Sequence, residues 1–180
     1  MTDGAQRFYT ERVPEQFNRA LEETLRTEGE EGHKYKGLVA VHGTIEVRVD
    51  GVPGSPFHLN IEAGRMTSGD HGSHEPFLIL LHDAAACEAL ERESGDSALG
   101  FLGGMAGLDQ EIHLTQLRID KLRQVNGTVR LTLDGPGGFS LCAHFGGGTP
   151  GGSPDCELVI DSSIYGPLRS GEIDPQEAFM

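Results

Sequence analysis

The stretch GDHGSHEP places Asp70, His71, His74 and Glu75 within six residues, with His82 a short way beyond. Imidazole nitrogens and carboxylate oxygens are the donors that zinc or a related divalent ion takes, but the ion needs three or four of them in fixed geometry. A Gly/Ser-rich loop offers ligands without a rigid frame. The expectation is a polar loop whose histidines face solvent, and no metal ligand is assigned. His58 and His144 fall at outward-facing positions of strand-like segments, equivalent in the two halves of the chain, and polar residues on an exposed strand face explain them. Cys142 and Cys156 could act as nucleophiles beside a histidine, yet both sit in strand patterns, where structural thiols are expected. The segment GGGTPGGSP lacks a following Lys-Ser/Thr, so it does not read as a phosphate cradle. No G-x-S-x-G elbow occurs. The chain therefore reads as non-enzymatic, with no catalytic residue and no cofactor.

The elements that would position these groups follow from periodicity. Residues 1–13 are polar and unpatterned and read as a flexible tail. From Pro14, PEQFNRALEETLRT carries Phe17, Ala20, Leu21, Thr24 and Leu25 on one helical stripe. The charged segment Glu28 to Lys34 reads as a solvated loop. In GTIEVRVDG (43–51) Ile45, Val47 and Val49 alternate with Glu46, Arg48 and Asp50, and in FHLNIEA Phe57, Leu59 and Ile61 alternate with His58, Asn60 and Glu62. Together these two strands make a hairpin. After a loop from Gly64 to Glu75, the unbroken apolar run of EPFLILLHD predicts a strand buried on both faces. Asp83 caps the helix AAACEALERE.

The order then recurs. LTQLRIDKLRQV (114–125) reads as a helix with Leu114, Leu117, Leu122 and Val125 near one face. GTVRLTLDG (127–135) and FSLCAHF (139–145) form a second hairpin, PDCELVID a third strand, and a helix begins at Ser162. GTIEVRVDG and GTVRLTLDG start at residues 43 and 127, 84 residues apart. Such a spacing exceeds solenoid periods and indicates a duplicated domain. The fold class expected is α+β, a duplicated unit of antiparallel-rich sheets with helices packed on one face. Its parts would be the tail (1–13), a first, diverged repeat (14–108) and a second repeat (109–180).

Composition narrows the function. A net charge of −14 with three lysines gives no basic surface for nucleic acid or anionic membranes. The longest apolar run, Phe77 to Leu81, is far short of the roughly 20 residues that span a bilayer, so no membrane span is expected. Three cysteines without C-x-x-C spacing, and no leader pattern at the start, point to a reducing, cytoplasmic setting.

Pro154 to Met180, PDCELVIDSSIYGPLRSGEIDPQEAFM, resembles the signature stretch of the sterol-carrier-protein type 2, or non-specific lipid-transfer, family. Asp155, Leu158, Ile160, Asp161, Leu168, Gly171, Asp174, Pro175, Gln176, Ala178 and Phe179 carry the match. The resemblance is clearest over 114–180 and extends weakly to a diverged copy over 14–104. It implies small α+β domains whose helices and sheet enclose an apolar tunnel, and a carrier or binding role for a lipid-like or apolar small molecule without chemistry of its own. Leu131, Leu133, Phe139, Leu141, Leu158, Ile160, Leu168, Ile173 and Phe179 would then line the ligand. The family's next strand and C-terminal helix have no counterpart before Met180. The alternative is therefore an interaction module, in which self-association as a homo-oligomer or a partner subunit covers an open apolar edge.

Overall fold

The computed structural model describes residues 2–93, 114–170 and 172–174. The fold is α+β, and its sheet is one continuous body instead of the separate sheets expected. Seven strands, β1 (Gly43–Asp50), β2 (Phe57–Glu62), β3 (Arg65–Gly69), β4 (Pro76–Asp83), β5 (Gly127–Asp134), β6 (Phe139–Phe145) and β7 (Cys156–Asp161), lie in the order β3-β2-β1-β4-β6-β5-β7. The two halves join where β4 pairs antiparallel with β6, Leu80 opposite Ala143. β4 also runs parallel to β1. With a strand on each side and apolar residues on both faces, β4 buries Phe77, Leu78, Ile79 and Leu80, as its unbroken apolar run predicts. β3 falls where the sequence reads as a loop, because only Met66 in it is apolar.

The pairings in the two halves correspond residue for residue. In the first hairpin Gly43 faces Ile61 and Thr44 faces Asn60; 84 residues on, Gly127 faces Phe145 and Thr128 faces His144. Asp50 lies beside Asp83 in the parallel pair of the first half, as Asp134 lies beside Asp161 in the second. This register corrects one equivalence. His144 corresponds to Asn60, and His58 corresponds to Cys142.

One face of the sheet carries the core. Val47, Leu80 and Ala143 form a row across it, continued by Val129. The expected N-terminal tail is instead helical and central to that core. Helix α1 (Thr2–Arg7) runs through a single π-helical turn, Phe8–Arg12, into α2 (Val13–Glu28). Ala5, Tyr9, Val13, Phe17 and Leu21 recur at i+4 along this path, and Phe8 and Tyr9 are 1% and 2% exposed. Polar neighbours on the other faces masked the stripe in the sequence. Ala20 and Leu25, expected on it, face solvent. Part of the expected charged loop is helix α3 (His33–Val39), which packs on α2.

Helix α4 (Ala84–Glu93) starts where the Asp83 carboxylate accepts from the Ala86 amide at 2.7 Å. Helix α5 (Gln116–Leu122) buries Ile119 completely, while Leu117 and Val125, expected inside, are 65% and 57% exposed. Leu114 and Leu122, also expected on that face, are half-buried and pack with Ile119 on the main core. Helix α6 (Ser162–Ser170) begins under Asp161, whose carboxylate accepts from the Ser163 amide at 2.8 Å. Gly64, at φ +74°, turns β2 into β3 against α3, and a Cβ there would lie 2.3 Å from the Leu38 carbonyl oxygen.

Candidate functional site

Of the apolar residues expected to line a ligand, Leu131, Leu133, Phe139, Leu141 and Ile160 come together as one buried cluster, with Leu158 half-buried at its side. Strands β5, β6 and β7 present them on the same face by alternation. What covers them is unexpected: Ala86, Ala89 and Leu90 arrive from α4, an element of the first half, and Tyr165 from α6. The cluster is separate from the larger one beneath α1 and α2. Each large side chain withdrawn from water in this way contributes about 1.5–3 kcal/mol before entropy is counted. Leu168 falls within α6 and Ile173 is half-buried after it. Phe179 lies outside the described residues.

Three environments among the described histidines bear on chemistry. His82 is inside the main core, 6% exposed, with its Nε2 2.6 Å from the Tyr9 hydroxyl and its Nδ1 2.9 Å from the Asp83 carbonyl oxygen. Burial holds the imidazole below its usual pKa, against the pull of Asp83 and Asp50. Burial, with Cys87 nearby, raises the Tyr9 phenol well above its usual value. The Cys87 thiol, buried with Glu91 and Glu88 around it, is pushed up to about 12, so it stays protonated at neutral pH. His82 is thus a structural histidine, too deep to join the loop residues around His74.

His144 is also buried, 4% exposed, in contrast to the solvent-facing position expected. Its Nδ1 lies 2.9 Å from the Thr128 hydroxyl, directly across the pair. At the corresponding place in the first half the Thr44 hydroxyl donates to Asn60 Oδ1 at 2.8 Å. His58 faces Glu46, Nε2 to Oε2 3.7 Å. Cys142 is half-buried beside Arg130, and Cys156 is exposed on β7.

The third environment gathers His42, Glu62 and His74. Gly43 pairs with Ile61, so His42 and Glu62 are neighbours at the end of the hairpin, on the face that also presents Thr44 and Asn60. The loop before β4 folds over that end and is tied down. Asn60 Oδ1 accepts from the Ser73 amide at 2.8 Å, its Nδ2 donates to the His71 carbonyl at 2.9 Å, and Thr44 Oγ1 accepts from the His74 amide at 3.0 Å. His42 Nδ1 then stands 2.9 Å from Glu62 Oε2, and His74 Nε2 2.8 Å from Glu62 Oε1. The Ser73 hydroxyl donates to Oε1 as well, at 2.9 Å. With His42 first among these partners, then Ser73 and His74, the carboxyl is drawn down to about 2. The three donor atoms lie within 4.8 Å of one another, a set able to hold a metal ion. His74 was visible among the loop histidines. His42 and Glu62 were not, although the hairpin register implied that they meet.

Compared with known proteins, the chain matches no family model, no curated sequence and no solved structure. Among the described residues no helix is long and apolar enough to cross a membrane.

Proposed function

We propose that this chain is a non-catalytic binding or carrier module for a lipid-like or apolar small molecule, built from two diverged copies of one unit and working in the cytoplasm. The observation that carries the reading is the separate apolar cluster of Leu131, Leu133, Phe139, Leu141 and Ile160, covered by Ala86, Ala89 and Leu90 of α4 and by Tyr165 of α6. A sheet face of large apolar groups whose cover includes two alanines is where an acyl chain would displace the fewest side-chain atoms. The shared register of the two hairpins supports the duplication, and the resemblance of residues 154–180 to sterol-carrier domains supports the ligand class.

Native mass spectrometry of the purified chain tests it, together with titration of the delipidated protein with a fluorescent fatty acid. A lipid-mass adduct or 1:1 uptake is expected. Ala89→Leu, which fills the roof of the cluster, should weaken uptake while the fold persists. Absence of both an adduct and uptake overturns the carrier reading.

One observation favours an interaction module instead. Among the described residues β7 pairs only with β5, and on it Val159 is 56% exposed. An edge strand with an exposed β-branched residue suits strand addition by a second copy or a partner subunit. Light scattering over a concentration series separates the two: a strictly monomeric, ligand-filled protein refutes this version.

A further inference from the structure

We propose that His42, Glu62 and His74 form a binding site for a divalent transition-metal ion, independent of the apolar cluster. The ligands come from three places in the fold: the residue before β1, the last residue of β2 and the loop before β4. Two imidazoles and one carboxylate on three sides of a point are the donor set of zinc, cobalt, nickel or ferrous sites, whereas calcium and magnesium take oxygen ligands throughout. An ion about 2.0–2.2 Å from each of three donors holds them roughly 3 to 3.6 Å apart. His42 Nδ1 and His74 Nε2 stand 2.9 and 2.8 Å from the two different oxygens of Glu62, and one donor atom from each of the three residues lies within 4.8 Å of the other two. Small rotations of exposed side chains close the set around an ion, with no movement of the backbone.

What distinguishes this from two surface ion pairs is the frame. Thr44 is wholly buried, and its hydroxyl binds both Asn60 and the His74 amide, so the loop is anchored through the hairpin itself. The loop also lies close on the hairpin face: a Cβ at Gly72 would come within 3.2 Å of the Thr44 methyl and 3.5 Å of the His58 ring. Ser73 binds the carboxylate oxygen that faces His74, which orients Glu62. Among the described residues the second half offers no such set. Positions corresponding to His42 and Glu62 are Asn126 and Gly146, and a Cβ at Gly146 would stand 2.9 Å from the Arg123 carbonyl oxygen. The site is therefore a property of the first half, gained or kept where the halves differ. Three protein ligands leave at least one coordination position open to solvent or to an exogenous ligand.

The test uses the full chain, stripped with a chelator and then loaded with Co²⁺ or Zn²⁺. One equivalent should remain bound through gel filtration, and Co²⁺ should develop visible ligand-field bands of a low-coordinate nitrogen/oxygen site. His42→Ala and His74→Ala should each weaken binding at least tenfold, while His71→Ala, on the same loop, should leave it unchanged. All three proposed ligands are more than a third exposed, so the apo variants should unfold at the wild-type temperature, which separates lost ligation from lost structure. Wild-type protein that retains no metal overturns the proposal. So does equal retention by the His42→Ala/His74→Ala double variant.

Discussion

The Tyr9 hydroxyl donates a hydrogen bond of 2.6 Å to His82 Nε2 in the interior, joining the π-helical turn to strand β4. The proton positions follow from the partners. The Asp83 carbonyl can only accept, so His82 Nδ1 carries the hydrogen and Nε2 is left as the acceptor for Tyr9. Tyr9 also stacks on Phe57, ring centroids 5.7 Å apart. One side chain thus fastens the N-terminal helix to two strands.

Tyr9→Phe should keep the stacking and leave His82 Nε2 buried without a donor. A loss of about 1–3 kcal/mol is expected, read from urea unfolding. A change within error of zero would show that the pair contributes nothing net.

The same imidazole makes stability depend on pH. Its folded pKa lies below the unfolded value near 6.5, so the unfolded chain binds the extra proton first. Its contribution is full above pH 6.5 and falls as the pH drops through the window down to the folded pKa, by at most about 1.4 kcal/mol per pH unit. Denaturant midpoints measured from pH 8 to 5 should decline below the unfolded pKa, and His82→Gln should flatten that decline.

Gly64→Ala should be costly, because Gly64 is buried in its turn against α3. The left-handed φ alone costs about 1–2 kcal/mol in an L-residue, and the added methyl would press into the Leu38 carbonyl. A loss of at least about 2 kcal/mol is expected by thermal or urea unfolding. Gly4→Ala, where nothing lies within 4 Å of the new Cβ, is the matched control.

The three thiols should react in a fixed order. Cys156 is exposed and should be modified first by a disulfide reagent, with half-buried Cys142 slower. Cys87, buried and with its thiol pushed up to about 12, should react only after denaturation. Early modification of Cys87 in native protein would contradict the packing of α4.

Strand alternation, the capping aspartates and the recurrence of one hairpin 84 residues on were legible because each is a local pattern, and six of the seven strands fall where those patterns place them. The helix of residues 2–12 was hidden, since single apolar residues at i+4 carry little signal until a sheet exists for them to cover. Leu131, Leu133, Phe139, Leu141 and Ile160 share one buried cluster, as strand alternation places them on one sheet face, whereas no local pattern indicates its roof. Residue types and periodicity by themselves determined the α+β class, the strand faces and the capped helix starts. Tertiary structure alone decided that the two halves share one sheet, that α4 crosses to cover the second half, and that His42 and Glu62 meet His74. Those outcomes depend on which strand edge pairs with which, and on a loop closing over a hairpin end. Such contacts lie between residues distant in the chain, and local preference does not encode them.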